Sequence, residues 1–581
     1  MLNRRNFLAT TVGAAATTPL LSCSLVGQSP TANLTPQTGV ALSRTGVAAT
    51  VHPLATQSAI ASLESGGNAI DAAIAASIML SVVDGHNSGI GGGCLATVRT
   101  AGGEIFCIDG RETAPALATP DQFYTDGKPD PRRTQFGPRA VGVPGLIATL
   151  ERLGTRLGNQ EWTASFDRAI DVADAGFKID RNYAATLAGA ASQLQRFPSS
   201  VAVLFGDDRK PLREGDRLVQ SDLAKVLTSI QKDGSDWFYR GEFAKTIDEY
   251  MQKSDGLIRL SDMEAYRTKE RVPIQTSYRG QSVIGFPPPS SGGLHVAQML
   301  RMLNRFDVAS IFQQDTATGL HLLLEVMKLA MSDRTKWLGD SDYTDVPAGL
   351  LDEDYVVMRS EQIDLERSSI VNAAGQPTNM QPIGGKSREK HTTHLTTADA
   401  QGNVVAITQT VNTSFGSKIV LPGTGVVLNN QMDDFSIAPG VANAFGLIGS
   451  AANSIQPGKR PLSSMSPTIV LDADANPIFS CGAAGGPKIL TTVLQLIVGR
   501  LDLNMSLDEC VRAPRVHHQW QPDRAVVESS LSDEVIDKLA AKGHTIEKTP
   551  RASVAQAIAI DNQLLSAMAD PRVPSSAMGV E

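Results

Sequence analysis

Two short segments, His391 to Ala398 and Val404 to Thr410, constrain the fold of this 581-residue chain more than any others. Both are rich in β-branched residues, and the turn-forming run DAQGN at 399–403 separates them, so they read as a β-hairpin. Apolar and polar residues do not alternate along either one, as they would in a strand with one wet face. The pattern predicts a sheet covered on both sides. The five-residue loop pairs Ala398 with Val404, and the same register carried outward sets Thr392 opposite Thr410. Residues paired this way hold their Cβ atoms about 4.5–5.5 Å apart. Two hydroxyls are therefore expected to meet across the ladder. Asn412, two residues on, is expected to project from the same face as Thr410.

A second hairpin is expected from Thr468 to Leu471 and Ile478 to Cys481, with its turn at Asp472 to Asn476. It runs into Gly482 and on to Gly485, Gly486 and Pro487, after which Ile489, Leu490, Val493, Leu494, Leu496 and Ile497 recur at helical spacing. Pro487 suits the first helical position, so Gly485 and Gly486 fall at a helix N-terminus with free N–H groups. Such a place suits an anion or a developing oxyanion. Before residue 372 the chain alternates helices and strands, including a Gly-rich loop at 89–93 and the turn FPPPSSGG at 286–293 opening into a helix. The polar stretch 372–390 reads as an exposed loop. The Gly89–Gly93 run lacks the following Lys-Ser/Thr of a phosphate loop.

The chain is 42% hydrophobic, enough for a large core, and its net charge of −8 gives no reason to expect nucleic acid. The N-terminus, MLNRRNFLA, reads as a twin-arginine export signal over residues 1–22, too short and mild to span a bilayer. LLSC at 20–23 is similar to a lipobox. Cys23 is thus a candidate for lipidation and a lipid anchor, residues 23–45 a flexible tether, and the periplasm the expected location. Cys94, Cys107, Cys481 and Cys510 match no metal or disulfide spacing and read as buried free thiols. His517 and His518 have no accompanying ligand spacing, so no metal or other cofactor is expected.

The stretch from His391 onward resembles the small subunit of γ-glutamyltranspeptidases. The matching runs are TTH at 392–394, TVNTSFG at 410–416, LNNQMDDFS at 428–436, KRPLSSMSP at 459–467, Gly485-Gly486 and APRVHHQW at 513–520. Earlier matches are the Gly-rich loop, Arg111-Glu112, PPPSSGG at 287–293 and Asp333-Arg334. The resemblance implies an α/β (α+β) fold, the four-layer αββα sandwich of N-terminal-nucleophile hydrolases. It also implies self-cleavage between His391 and Thr392. Residues 46–391 would form a large subunit and 392–581 a small one, sharing one folded domain. Thr392 would then be nucleophile and, through its new α-amine, base. Thr410 would orient its hydroxyl, and Gly485 and Gly486 would form the oxyanion hole. Arg111, Ser463 and Ser464 match the positions that bind the substrate's α-carboxylate, a task suited to the planar guanidinium. Asn412, Gln431 and Asp434 match those for the α-ammonium.

The implied substrates are glutathione and other γ-glutamyl compounds, with water, amino acids or dipeptides as acceptors. A related amidase, such as a glutaryl-cephalosporin acylase or a poly-γ-glutamate hydrolase, is the alternative. A glutaryl group has no ammonium for Asp434 to pair with, which favours the γ-glutamyl reading. An uncleaved, inactive exported binding protein is a third reading, opposed by the intact Thr392 and Thr410. Three departures from the family pattern stand out. His391 precedes the cut. AGGPK at 484–488 stands where PGGSR is frequent, so Lys488 in place of Arg weakens any bidentate pairing there. Phe445, in the lid-like segment 439–446, stands where tyrosine is common.

Overall fold

The computed structural model describes residues 39–383 and 393–581. The export signal at 1–22, Cys23 and the His391–Thr392 junction lie outside the described residues. Fourteen strands form two seven-stranded sheets. In chain order they are β1 (Ala41–Ser43), β2 (Gly46–Thr50), β3 (Gly93–Arg99), β4 (Ile105–Gly110) and β5 (Lys269–Arg271). Next come β6 (Ile274–Tyr278), β7 (Gln281–Gly285), β8 (Thr393–Asp399), β9 (Val404–Thr410) and β10 (Thr468–Leu471). The last four are β11 (Pro477–Ala484), β12 (Val554–Asp561), β13 (Leu564–Ala569) and β14 (Ser576–Gly579). One sheet runs β1-β13-β12-β11-β10-β7-β6 and the other β14-β2-β8-β9-β3-β4-β5. Both sheets take strands from before and from after residue 392, so neither part forms either sheet alone.

Three apolar layers separate four structural layers. Val47, Ala398, Val404, Ile469, Leu565 and Ala567 fill the space between the sheets. Helices α1 (Pro53–Glu64) and α2 (Ala69–Val83) cover the outer face of the second sheet. Helices α3 (Ser291–Leu303), α4 (Thr316–Trp337) and α5 (Lys488–Leu501) cover the first. The αββα sandwich implied by the sequence is thus the fold. Helix α2 starts where it does because Asn68 and Asp71 cap it reciprocally: Asn68 Oδ1 accepts from the N–H of Ile70 and Asp71, and Asp71 Oδ2 accepts from that of Asn68. Every residue of α2 is buried, because helices and the sheet surround it.

The hairpin register is the one read from the loop length, with Ala398 opposite Val404 and Thr393 opposite Gln409. Both strands are buried on both faces, which explains the missing alternation. On the inner face the Thr396 hydroxyl meets that of Ser480 at 2.8 Å, and on the outer face the Thr397 hydroxyl donates to the Ala69 carbonyl at 2.6 Å. Both of these buried hydroxyls therefore have a partner.

One boundary is corrected. The expected tether 23–45 overlaps β1, whose Ala41, Leu42 and Ser43 pair with β13. The Ser43 hydroxyl also donates to the Val580 carbonyl at 2.8 Å. The edge of the sheet supplies backbone partners that a short polar segment does not advertise. The four described cysteines are free and buried, as expected.

Candidate active site

Strand β9 ends at Thr410, and the chain after it is pinned by the Gly-rich loop. Gly92 lies so close that a Cβ there would come within 1.7 Å of the Thr410 carbonyl oxygen, so only glycine fits. Asn429 staples the same loop from the other side. Its Oδ1 accepts from the N–H of Gly142 and Gln431, and its Nδ2 donates to the carbonyls of Gly91 and Gly142. All four of its hydrogen-bonding positions are used, which holds the 429–434 segment in place.

The expectation for Asn412 is corrected. The strand has already ended, and Asn412 sits at φ 80°, so face alternation does not place it. It reaches Thr410 through its backbone, whose N–H donates to Thr410 Oγ1 at 2.7 Å. Its Nδ2 donates to the Asn430 carbonyl at 2.9 Å, and its Oδ1 is buried without a partner among the described residues.

Gly485 and Gly486 follow β11 at φ 140° and 61°, with Pro487 in helical geometry just before α5. Their carbonyls accept from Lys488 and Ile489, while their N–H groups donate to no described residue. Pro487 caps α5 instead of being its first residue, a one-residue difference that leaves those N–H groups at the helix start. Phe445 covers Gly486: a Cβ on that glycine would lie 2.7 Å from the ring. Asp433 holds the Phe445 segment by accepting from the Ala444 N–H at 3.0 Å.

The residues expected to bind opposite ends of a zwitterion are joined to each other. The buried Arg111 guanidinium pairs with Asp434 at 2.8 Å and with Glu112 at 3.0 Å. Gln431 Nε2 donates to the same Asp434 oxygen at 2.7 Å. Ser463 and Ser464 belong to this group through Asn453, whose Nδ2 donates to the Asp434 carbonyl and whose Oδ1 accepts from Leu462 N–H. Ser463 Oγ accepts from the Met465 N–H, and Ser464 Oγ is buried without a partner among the described residues. Gln431 Oε1 and Arg111 Nε are in the same condition. Burial pushes the Glu112 carboxyl up to about 7, against the pull of Arg111.

Asp84, at the C-terminal end of α2, went unnoticed in the sequence. Its Oδ2 accepts from the Thr393 hydroxyl at 2.5 Å, and burial raises it to about 7. His86 stands 3.5 Å away, but burial lowers it to about 4, so this contact is not an ion pair at neutral pH. Glu112 was visible in the sequence only as part of a motif. Asp433, adjacent to Asp434, could have been suspected; Asn453 carried no signal. A cavity of about 430 Å³ is walled by Thr393, Asp84, Asn412, Gly485, Gly486 and Phe445, among others. Away from it, His321, Glu325 and His544 cluster, but the Lys328 ammonium, 2.9 Å from Glu325, already supplies a cation there. His517 and His518 are buried and bonded to Thr491 and Asp523.

The family model described as gamma-glutamyltranspeptidase matches residues 55–580. A glutathione hydrolase proenzyme of Escherichia coli (strain K12) is 39% identical over 535 residues, covering 91% of this chain and 90% of that protein. The crystal structure of a cephalosporin acylase from Bacillus halodurans superposes with a TM-score of 0.84 at 26% identity, covering 94% of this chain and 98% of that one. That of a Helicobacter pylori gamma-glutamyltranspeptidase does so at 0.53 and 34% identity, covering 60% of this chain and 96% of that one.

Proposed function

The chain belongs to the γ-glutamyltranspeptidase family, and from that membership we propose how its residues divide the work. It is a proenzyme of the glutathione hydrolase type, cleaving γ-glutamyl amides and passing the acyl group to water or an amine. Self-cleavage falls between His391 and Thr392. The Thr392 hydroxyl attacks its own preceding carbonyl, and water hydrolyses the resulting ester. The new N-terminal α-amine, with a pKa near 8, takes the hydroxyl proton when Thr392 attacks the γ-glutamyl carbonyl. Thr410 orients that hydroxyl. The N–H groups of Gly485 and Gly486 hold the oxyanion, each worth about 3 kcal/mol in the transition state.

Arg111, with Ser463 and Ser464, takes the α-carboxylate; Asn412, Gln431 and Asp434 take the α-ammonium. Since Arg111 and Asp434 pair at 2.8 Å, a zwitterion exchanges one internal ion pair for two with itself, and charge stays balanced. The acyl-threonine ester is then released by water, an amino acid or a dipeptide. The observation that carries this reading is the single cavity bounded by Thr393, Asn412, Gly485 and Gly486. We further propose export through residues 1–22 and a lipid anchor on Cys23, checked by loss of membrane association in Cys23→Ser.

Denaturing gels and N-terminal sequencing test the assignment. Residues 392–581 predict a fragment of about 20 kDa out of 61.6 kDa, beginning TTHLTT. Thr392→Ala is expected to remain uncut; a cut variant puts the nucleophile elsewhere. Equal rates on γ-glutamyl and glutaryl anilides would remove the role given to Asp434.

A further inference from the structure

Of the residues assigned to the γ-glutamyl head group, only Asn412 lines the main cavity. Arg111, Gln431, Asp434, Ser463 and Ser464 do not line the cavity of about 430 Å³, whereas Gly485 and Gly486, assigned to the reacting carbonyl, do. The rest of the cavity wall, beyond Asn412 and the two glycines, is left for the amine side of the bond. That part carries two cations. Lys488 opens α5, two residues beyond Gly486, and is half-buried; Arg551 stands at the rim. Neither has a carboxylate at ion-pair distance among the described residues. Neighbouring arginines do: Arg515 pairs with Asp570 at 2.7 Å, and Arg572 pairs with Glu528 at 2.6 Å. Arg551 donates instead to Asn182 Oδ1 at 3.1 Å. Of the acids in the same wall, Asp180 is committed to capping a helix through the Tyr183 N–H at 2.7 Å, and Asp84 to Thr393.

Two cations with no carboxylate at ion-pair distance among the described residues, beside an oxyanion site, suit an anionic group on the bound molecule. We propose that Lys488 and Arg551 form a subsite for the amine half of the reaction, selecting amines that carry a carboxylate. In a donor such as glutathione this is the C-terminal carboxylate of the leaving peptide; in transfer it is that of an acceptor peptide. The proposal rests on the γ-glutamyl reading given above.

Its test compares kcat/KM for glutathione with that for its glycine-carboxamide analogue, using self-cleaved enzyme so that only folded protein is counted. The glutathione-to-amide ratio is expected to fall about tenfold in Lys488→Gln and in Arg551→Gln, mainly through KM, and to recover in Lys488→Arg and Arg551→Lys. An unchanged ratio in both glutamine variants overturns the subsite, as does an equal fall in the charge-conserving ones. A wild-type enzyme that cleaves neither donor would instead overturn the γ-glutamyl reading itself.

Discussion

Replacing Asp433 by Asn should make the protein more stable at pH 8 and leave its stability at pH 4 nearly unchanged. Asp433 is 1% exposed. One carboxylate oxygen accepts from the Ala444 N–H at 3.0 Å and the other from the Thr134 hydroxyl at 2.9 Å. Asn can keep both contacts. Its Oδ1 accepts from Ala444, and its Nδ2 donates to the Thr134 oxygen, whose own proton can go to the Pro131 carbonyl at 2.7 Å. Burial first, and the charge of Asp434 second, push the Asp433 carboxyl from 3.8 up to about 7. The unfolded chain loses this proton near pH 3.8 and the folded protein holds it until near 7. The stabilisation is therefore complete below 3.8 and is lost as pH rises to 7. At about 1.4 kcal/mol per unit, the loss is on the order of 4 kcal/mol, and Asn does not suffer it. Urea midpoints at pH 4, 5.5 and 8 measure this. Glu112 and Asp84, also raised to about 7 by burial, titrate in both proteins and cancel in the difference. A wild-type-to-variant difference that is the same at pH 4 and pH 8 would refute the reasoning.

Gly486→Ala puts a Cβ 2.7 Å from the Phe445 ring at φ 61°, and kcat should fall by about 10²–10³-fold; a near-normal kcat would show that this N–H does not hold the oxyanion. Thr410→Ala removes the hydroxyl that accepts from Asn412 at 2.7 Å. Self-cleavage should slow at least about tenfold on a gel time course, and an unaltered rate would exclude its orienting role. Asn453→Ala leaves the Asp434 carbonyl and Leu462 N–H without their partner. The expected outcome is a stability loss of about 1–3 kcal/mol and a raised KM for a γ-glutamyl anilide. A fall in kcat alone would place Asn453 elsewhere in the mechanism.

Parts of the site were legible in the sequence because they depend on short-range geometry. The Ala398–Val404 pairing follows from loop length, and the Gly485–Gly486 helix start follows from a Pro and a 3.6-residue periodicity. Asn412 was misplaced for the complementary reason. Alternation holds only inside a strand, and β9 stops at Thr410, where the Gly-rich loop crowds its carbonyl. That crowding comes from a segment more than 300 residues earlier in the chain, so no local pattern announces it.

By itself the sequence determined the strand and helix periods, the doubly covered hairpin, the glycines that admit close approach and the residue types able to recognise a zwitterion. Only the tertiary structure decided that Arg111 and Asp434, 323 residues apart, share one buried ion pair, and that Asn453 ties them to Ser463 and Ser464. It alone also set Lys488 and Arg551 in one wall beside Gly486, with no carboxylate at ion-pair distance among the described residues. Hydrophobic periodicity is written residue by residue along the chain. Charge pairing in a buried site depends on which distant segments the layered sheets bring within about 3–4 Å, where desolvation makes each pairing, or its absence, count most.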